Sequence, residues 1–291
     1  MSAAAEPKSC TIINQRARLH YADWGNEGAP LLILVHGVRD HARSWDAAAR
    51  ELSLDYHVIA PDLRGHGDSD WSSNGAYSLL SFVQDLADLI DGLTDGPVSI
   101  VGHSLGAVIS LHYTSLFPGR VAKLVSIEGI DAVPAWVAEL RLQPVEAQIM
   151  HWIEHRRSVA VKKRRSFSSL EDAMDRMWEG NPSLGEDQVR QLAAHAVRQN
   201  DDGTFSWKFD PYVRALTPLS IDEQGTKRLR GLITCPVLLA WGRDGWGGDP
   251  AGNGTLKQFR NAAAMSFDGG HWLHHDCHDA FMASIQPFLA S

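Results

Sequence analysis

Gly102-His103-Ser104-Leu105-Gly106 follows the apolar run Pro97-Val98-Ser99-Ile100-Val101 and precedes a stretch with helical character. A serine framed this way predicts a strand that turns sharply into a helix, the geometry of a nucleophile elbow. Glycines at 102 and 106 suit such a turn, because it strains the serine backbone and brings strand and helix too close for side chains. The turn lifts the Ser104 hydroxyl clear of the sheet and leaves the Leu105 N–H at a helix N-terminus, facing an anion that forms beside the serine. An ordinary Gly/Ser turn has the same string, but it lacks a buried strand before it and a helix after it.

The rest of the chain fits that setting. Residues 16–24, 31–35, 56–60, 98–101, 121–127 and 237–241 read as strands, and the run at 31–35 is apolar throughout, as in a strand buried on both faces. Between them, residues 78–93 place Phe82, Leu86, Leu89, Ile90 and Leu93 at helical spacing. Strands alternating with helices predict an α/β fold with a mostly parallel central sheet flanked by helices, and ligands of such sheets bind outside the strand C-termini. The alternation stops after Gly129. Helix-like segments at 137–161, 169–179 and 185–199 predict an inserted helical cap, giving core over 1–130, cap over 131–218 and core again over 219–291. A strand is expected near 264–267 and a final amphipathic helix over about 276–289.

Composition narrows the partners. The 291 residues include 27 basic and 35 acidic side chains, a net charge of −8, which argues against nucleic acid or an anionic membrane and for a small neutral or apolar substrate. Cys10, Cys235 and Cys277 are odd in number and far apart, so neither a disulfide framework nor a thiolate metal site is expected, and a reducing cytoplasm is the default compartment. Residues 1–8 lack a basic region followed by an apolar run and read as a frayed tail rather than a signal peptide. Oligomeric state is not readable from the chain.

Four motifs in order carry a resemblance: Leu34-Val35-His36-Gly37, then Pro61-Asp62-Leu63-Arg64-Gly65-His66-Gly67-Asp68-Ser69, then the turn at Ser104, then Gly269-Gly270-His271-Trp272. From about residue 12 to 290 the chain resembles the α/β-hydrolase fold superfamily. That resemblance implies Ser104 as nucleophile and His271 as general base, since in this fold the histidine comes last in the chain. It implies an oxyanion hole from the Val38 and Leu105 N–H groups, with Gly37 letting the backbone bend beneath the site. His36 is expected to hydrogen-bond its own loop. Reading the histidines of 271–278 as a metal site is less economical, because the segment straddles a loop and a helix start, and no metal or cofactor is expected.

The acid is harder to place. Most relatives put an aspartate three residues after the glycine of a W-G-x-x-D turn, but here the turn reads Trp241-Gly242-Arg243-Asp244-Gly245-Trp246, with Gly245 at that position and Asp244 one residue early. Glu128, at the end of the strand after the nucleophile helix, is similar in placement to the acid of several haloalkane dehalogenases. Glu128 is therefore favoured, with Asp244 as the alternative. The basic residues at 155–157 and 162–165 read as a solvated cap face, with an entrance for anionic substrates as the alternative. The tryptophans at 136, 152, 178, 207 and 246 are candidates to line an acyl or alcohol pocket under the cap, Trp136 and Trp152 foremost as substrate contacts. The expected activity is that of a serine hydrolase cleaving a carboxylic ester or lactone, with carbon–carbon, thioester or amide hydrolysis, or non-catalytic ligand binding, as alternatives.

Overall fold

Leu31–Val35 (β3) sends alternate side chains to opposite faces, and each face has its own core. Ile33 and Val35 join Ile59, Ile100, Phe82, Leu86, Ile90 and Ile109 on one side. Leu32 and Leu34 join Val58, Val101, Trp45, Leu52, Phe281 and Ile285 on the other. Burial on both faces is what makes this strand continuously apolar.

The protein is described from a computed structural model covering residues 6–130, 135–215, 221 and 223–291. Eight strands form one sheet in the order β1-β2-β4-β3-β5-β6-β9-β10. They are β1 (Lys8–Asn14), β2 (Ala17–Asp23), β3, β4 (His57–Pro61), β5 (Val98–His103), β6 (Val121–Ile127), β9 (Val237–Gly242) and β10 (Ala262–Phe267). From β4 to β10 all neighbours run parallel, while β1 and β2 form an antiparallel hairpin at one edge. Helices α2 (Leu79–Leu93) and α3 (Leu105–Leu116) cover one face, and α1 (Asp46–Leu52) and α10 (His278–Ala290) the other. Ser78 caps α2 by accepting the Ser81 N–H at 3.1 Å, which ends the loop and starts the helix at one residue.

Several elements differ from the sequence reading. The N-terminal segment does not stay a tail beyond residue 7, because β1 pairs with β2 through a turn in which Gln15 and Arg16 both have positive φ. Its pattern is mostly exposed, as an edge strand's is, so hydrophobic runs do not reveal it. The expected helix over 137–161 is two, α4 (Ala135–Arg141) and α5 (Val145–Val161), separated at Pro144, whose ring disfavours helix in the preceding residue. After α6 (Leu170–Gly180), α7 ends at Ala196 (Glu186–Ala196), and residues 197–199 leave it to form β7 (Val197–Gln199), paired with β8 (Phe205–Trp207). Strands of three residues are too short to leave a periodic signal. A helix α8 (Glu223–Arg230) precedes β9, and the last helix is preceded by the short α9 (Leu273–Asp276). The expected cap limits, Asp131 and Pro218, lie outside the described residues.

The loop after β4 is held by one buried carboxylate. Asp62 accepts the Ala42 N–H at 2.7 Å, the Asp68 N–H at 2.9 Å and the His20 Nδ1–H at 2.7 Å. Burial alone would raise its pKa, but the hydrogen bond from His20, helped by the His36 ring and the Ala42 N–H, outweighs this and holds it well below the ordinary carboxylate range. Because the folded pKa is depressed, the stabilisation is full above the unfolded value and fades as pH falls through the folded one. Asp62→Asn is expected to lower stability at neutral pH by about 3–5 kcal/mol. In urea unfolding, the gap to wild type should narrow once the pH drops below about 4, where the unfolded carboxyl protonates.

Candidate active site

Ser104 sits between β5 and α3 with φ 52° and ψ −117°, a left-handed conformation that costs a non-glycine residue about 1–3 kcal/mol. What forces it is the closeness of backbone on either side. A Cβ at Gly102 would lie 2.7 Å from the Gly106 carbonyl oxygen, and one at Gly106 would lie 2.2 Å from that of Val35. The same closeness brings the loop after β3 against the serine, so that a Cβ on Gly37 would be 3.2 Å from Ser104 Cβ. Among the described residues, neither the Val38 nor the Leu105 N–H donates a hydrogen bond. The His36 ring spans its loop, Nδ1 donating to the Gly37 carbonyl at 2.7 Å and Nε2 accepting the Leu63 N–H at 3.0 Å. Burial pulls its pKa down to about 4, so at neutral pH it is an uncharged brace.

Glu128 follows β6 and also has positive φ, 48°. Its side chain is fully buried, with Nδ1 of His271 3.2 Å from Oε2. The Gly242 N–H donates to Oε1 and the Trp246 N–H to Oε2, each at 2.9 Å. A Cβ built on Gly245 would fall 2.4 Å from Oε1. Glu128 thus occupies the space that a side chain at 245 would need, and the two positions exclude each other. Asp244 is exposed, its N–H turned to the Gly269 carbonyl at 3.1 Å. The structure therefore brings Glu128, and not Asp244, to His271.

His271 is buried after β10, and its own carbonyl accepts the Nε2–H of His103 at 2.8 Å. Trp246 stacks on its ring at 3.7 Å between centroids with a 15° tilt, and Trp272 meets it edge-on at 5.0 Å. Among the described residues no hydrogen bond joins the His271 ring to Ser104 Oγ; in sites free of substrate such contacts are often long and tighten on binding. Trp246, a candidate pocket residue in the sequence, lies instead on the His271 ring, a contact that no local pattern encodes.

The carbonyl bonded to His103 Nε2–H can only accept, so the His103 Nδ1 carries its lone pair. One ligand atom each from Asp40, His103 and His274 lies within 4.8 Å of the others. Among the described residues, the Asp40 Oδ2, His103 Nδ1 and both His274 ring nitrogens have no hydrogen-bond partner. This is where the described residues could hold a metal, and it includes His274 of the 271–278 segment. A second such group, His20, Asp62 and Asp68, holds the Asp62 network already described.

A cavity of about 950 Å³ opens beside Val38, Asp40 and Trp272. Its aromatic lining comes from Trp71, Trp207, Phe209 and Tyr212 as well as Trp272. The structure does not bring Trp136 and Trp152 to this cavity. Trp136 is 44% exposed, and the Trp152 indole N–H is engaged with the Ala215 carbonyl at 2.9 Å while Arg156 covers the ring at 5.2 Å.

A mostly parallel sheet with a strained serine at a strand end and a histidine–carboxylate pair beside it defines a hydrolase-type α/β protein. The chain belongs to the alpha/beta hydrolase fold family, whose match runs over residues 30–276. It is 34% identical over 299 residues to epoxide hydrolase 4 of Homo sapiens, spanning 94% of this chain and 75% of that protein. It is 29% identical over 188 residues to the esterase Rv0045c of Mycobacterium tuberculosis, spanning 64% of this chain and 58% of that one. Among solved structures, the thioesterase domain from the curacin biosynthetic pathway superposes with a TM-score of 0.83 at 23% identity, covering 97% of this chain and 99% of that chain. No helix among the described residues is long and apolar enough to cross a membrane.

A downfield imidazole N–H resonance is expected for His271 in wild type and in Asp244→Asn, and its loss is expected in Glu128→Gln. Gly245→Ala should also shift or broaden that resonance, because the new Cβ collides with the Glu128 carboxylate. Proton NMR on the three variants checks both outcomes.

Proposed function

We propose that the protein is a cofactor-independent serine hydrolase that cleaves a carboxylic ester or lactone through an acyl-enzyme. The observation that carries this reading is the fully buried Glu128 carboxylate against His271 Nδ1, in a family whose members include named esterases. Ser104 Oγ adds to the substrate carbonyl carbon as His271 Nε2 takes its proton, and Glu128 accepts the Nδ1–H and stabilises the imidazolium. The Val38 and Leu105 N–H groups, both without partners, would receive the oxyanion. Collapse expels the alcohol with the proton from His271, and water, deprotonated by the same imidazole, releases the acid.

Similarity to epoxide hydrolase 4 raises a second chemistry, and the residue at 104 argues against it. A carboxylate that opens an epoxide forms an ester, whose carbonyl water can attack. A serine that did so would form an ether, with no carbonyl and no route to release. Thioester, amide and carbon–carbon bond hydrolysis use the same acyl-serine, and a panel of those substrates beside esters and lactones ranks them.

A fluorophosphonate probe is expected to label Ser104, read by peptide mapping, and labelling of another residue with Ser104 unmodified would end the reading. Ser104→Ala and His271→Ala should each lower kcat by about 10⁴ or more, and the double variant should be little worse than either, because the pair shares one proton transfer. Glu128→Gln should cost about 10⁴ in kcat, as loss of the orienting carboxylate does in serine proteases. Asp244→Asn should stay close to wild type. Folded wild-type protein without turnover of any member of the panel would favour a ligand-binding role instead.

A further inference from the structure

The cavity beside the site has a wall of one sign. Arg39, Lys162, Lys163, Arg164, Arg165 and Arg176 line it, against two carboxyl groups, Asp40 and Asp210. Asp210 is already engaged, accepting the Tyr77 hydroxyl at 2.7 Å and the Tyr212 N–H at 2.9 Å. Asp40 is half-buried and accepts the His41 N–H at 2.8 Å. Arg176 pairs with Glu179 at 2.7 Å, on a half-exposed surface where such a pair is weak.

The cations nearest the site have like charges as neighbours. Among the described residues, neither Arg39 nor Arg164 has a carboxylate within ion-pair distance. Arg164 lies 4.4 Å over the Trp71 ring, and Arg198 approaches the same ring at 5.0 Å. Both side chains are exposed, Arg39 with Arg214 and Arg176 as its charged neighbours and Arg164 with Arg198 and the opposite charge of Asp210.

These side chains are exposed, but a single solvated helix face does not account for them, because they come from two separate parts of the chain. Residues 162–165 and Arg176 belong to the 135–215 segment, whereas Arg39 is on the core loop, next to Val38. Arg39 has φ 64°, a left-handed backbone that a bulky side chain adopts only when its surroundings impose it. The same lining is apolar at Trp71, Leu192, Phe209 and Tyr212.

We propose that this cavity is the subsite for an anionic group on the substrate: the ester carries a carboxylate or phosphate, separated from the scissile carbonyl by an apolar segment, with Arg39 and Arg164 as its ligands. The guanidinium fork suits either oxyanion. The inference rests on the ester-hydrolase reading and deepens it. It also departs from the neutral substrate suggested by the net charge of −8, since that sum runs over the whole surface and the wall is local.

Mono-p-nitrophenyl adipate and p-nitrophenyl hexanoate share a six-carbon acyl chain and differ in the terminal carboxylate, and butyryl-coenzyme A supplies the phosphate arm. At low salt, kcat/KM for the adipate is expected to exceed that for the hexanoate by about tenfold or more. High salt should shrink that ratio, and Arg39→Met and Arg164→Met should each shrink it severalfold. Butyryl-coenzyme A outpacing both esters, with the same dependence on salt and on the arginines, would assign the subsite to phosphate rather than carboxylate. A hexanoate preference, or a ratio indifferent to salt and to both substitutions, overturns the proposal. Isothermal titration of the Ser104→Ala protein with the same compounds reads the subsite without turnover. Tighter binding of the anionic members, lost in the Arg39→Met background, would therefore uphold the subsite even if wild type hydrolysed nothing, and equal or absent binding would reject it.

Discussion

A buried carboxylate is costly unless donors surround it, and Glu128 has drawn its donors from three separate stretches of chain. The end of β9 contributes the Gly242 N–H, the loop beyond it the Trp246 N–H, and the loop after β10 the His271 ring. One charge thus ties three strand ends together at the face where Ser104 stands. Removing any of the donors would leave part of that charge unpaired in a dry interior, so the loops are held in register by the same group that orients the histidine. Glu128 reaches them only because its backbone turns left-handed at the strand end and because Gly245 has no side chain.

Strain and rigidity divide the molecule sensibly. Ser104, Glu128 and Arg39 all hold positive φ, and each follows directly on a central parallel strand or on the loop beyond one. The two-sided core beneath them makes those strands hard to shift, so their ends can carry unfavourable backbone geometry. Residues 135–215 are built differently. No residue of α5 is buried, and α6 and α7 gather round a small cluster of Met174, Leu184, Val189 and Leu192. This segment meets the core through His41 Nε2–H to the Leu192 carbonyl at 3.1 Å, Trp71 Nε1–H to that of Lys208 at 2.8 Å and the Tyr77 hydroxyl to Asp210 at 2.7 Å, and through Val213, which is buried in the core. A segment joined this way can vary without disturbing the sheet.

Much was legible in the chain because it is local. The turn at Ser104 depends on residues within five positions of one another, the buried strands on short continuous apolar runs, and the helix at 79–93 on a single periodic stripe capped by Ser78. Even the departure at Gly245 could be noticed from spacing. The edge strand β1, the break at Pro144 and the β7–β8 pair were less visible, because an edge strand is half polar and a three-residue strand has no period.

By itself, then, the sequence determined the fold class, the position of the strained serine and the histidine loop after the last strand, since each is written in neighbouring residues and in their order. Only the tertiary structure decided which carboxylate meets His271, which tryptophans face the cavity and where the positive charges gather. Those outcomes depend on residues far apart in the chain meeting at distances of a few ångströms, and on which of two groups a single small space admits. Glu128 fills the space left open at Gly245 while Asp244 is exposed, and Arg39 and Arg164 line one cavity although the chain as a whole is acidic.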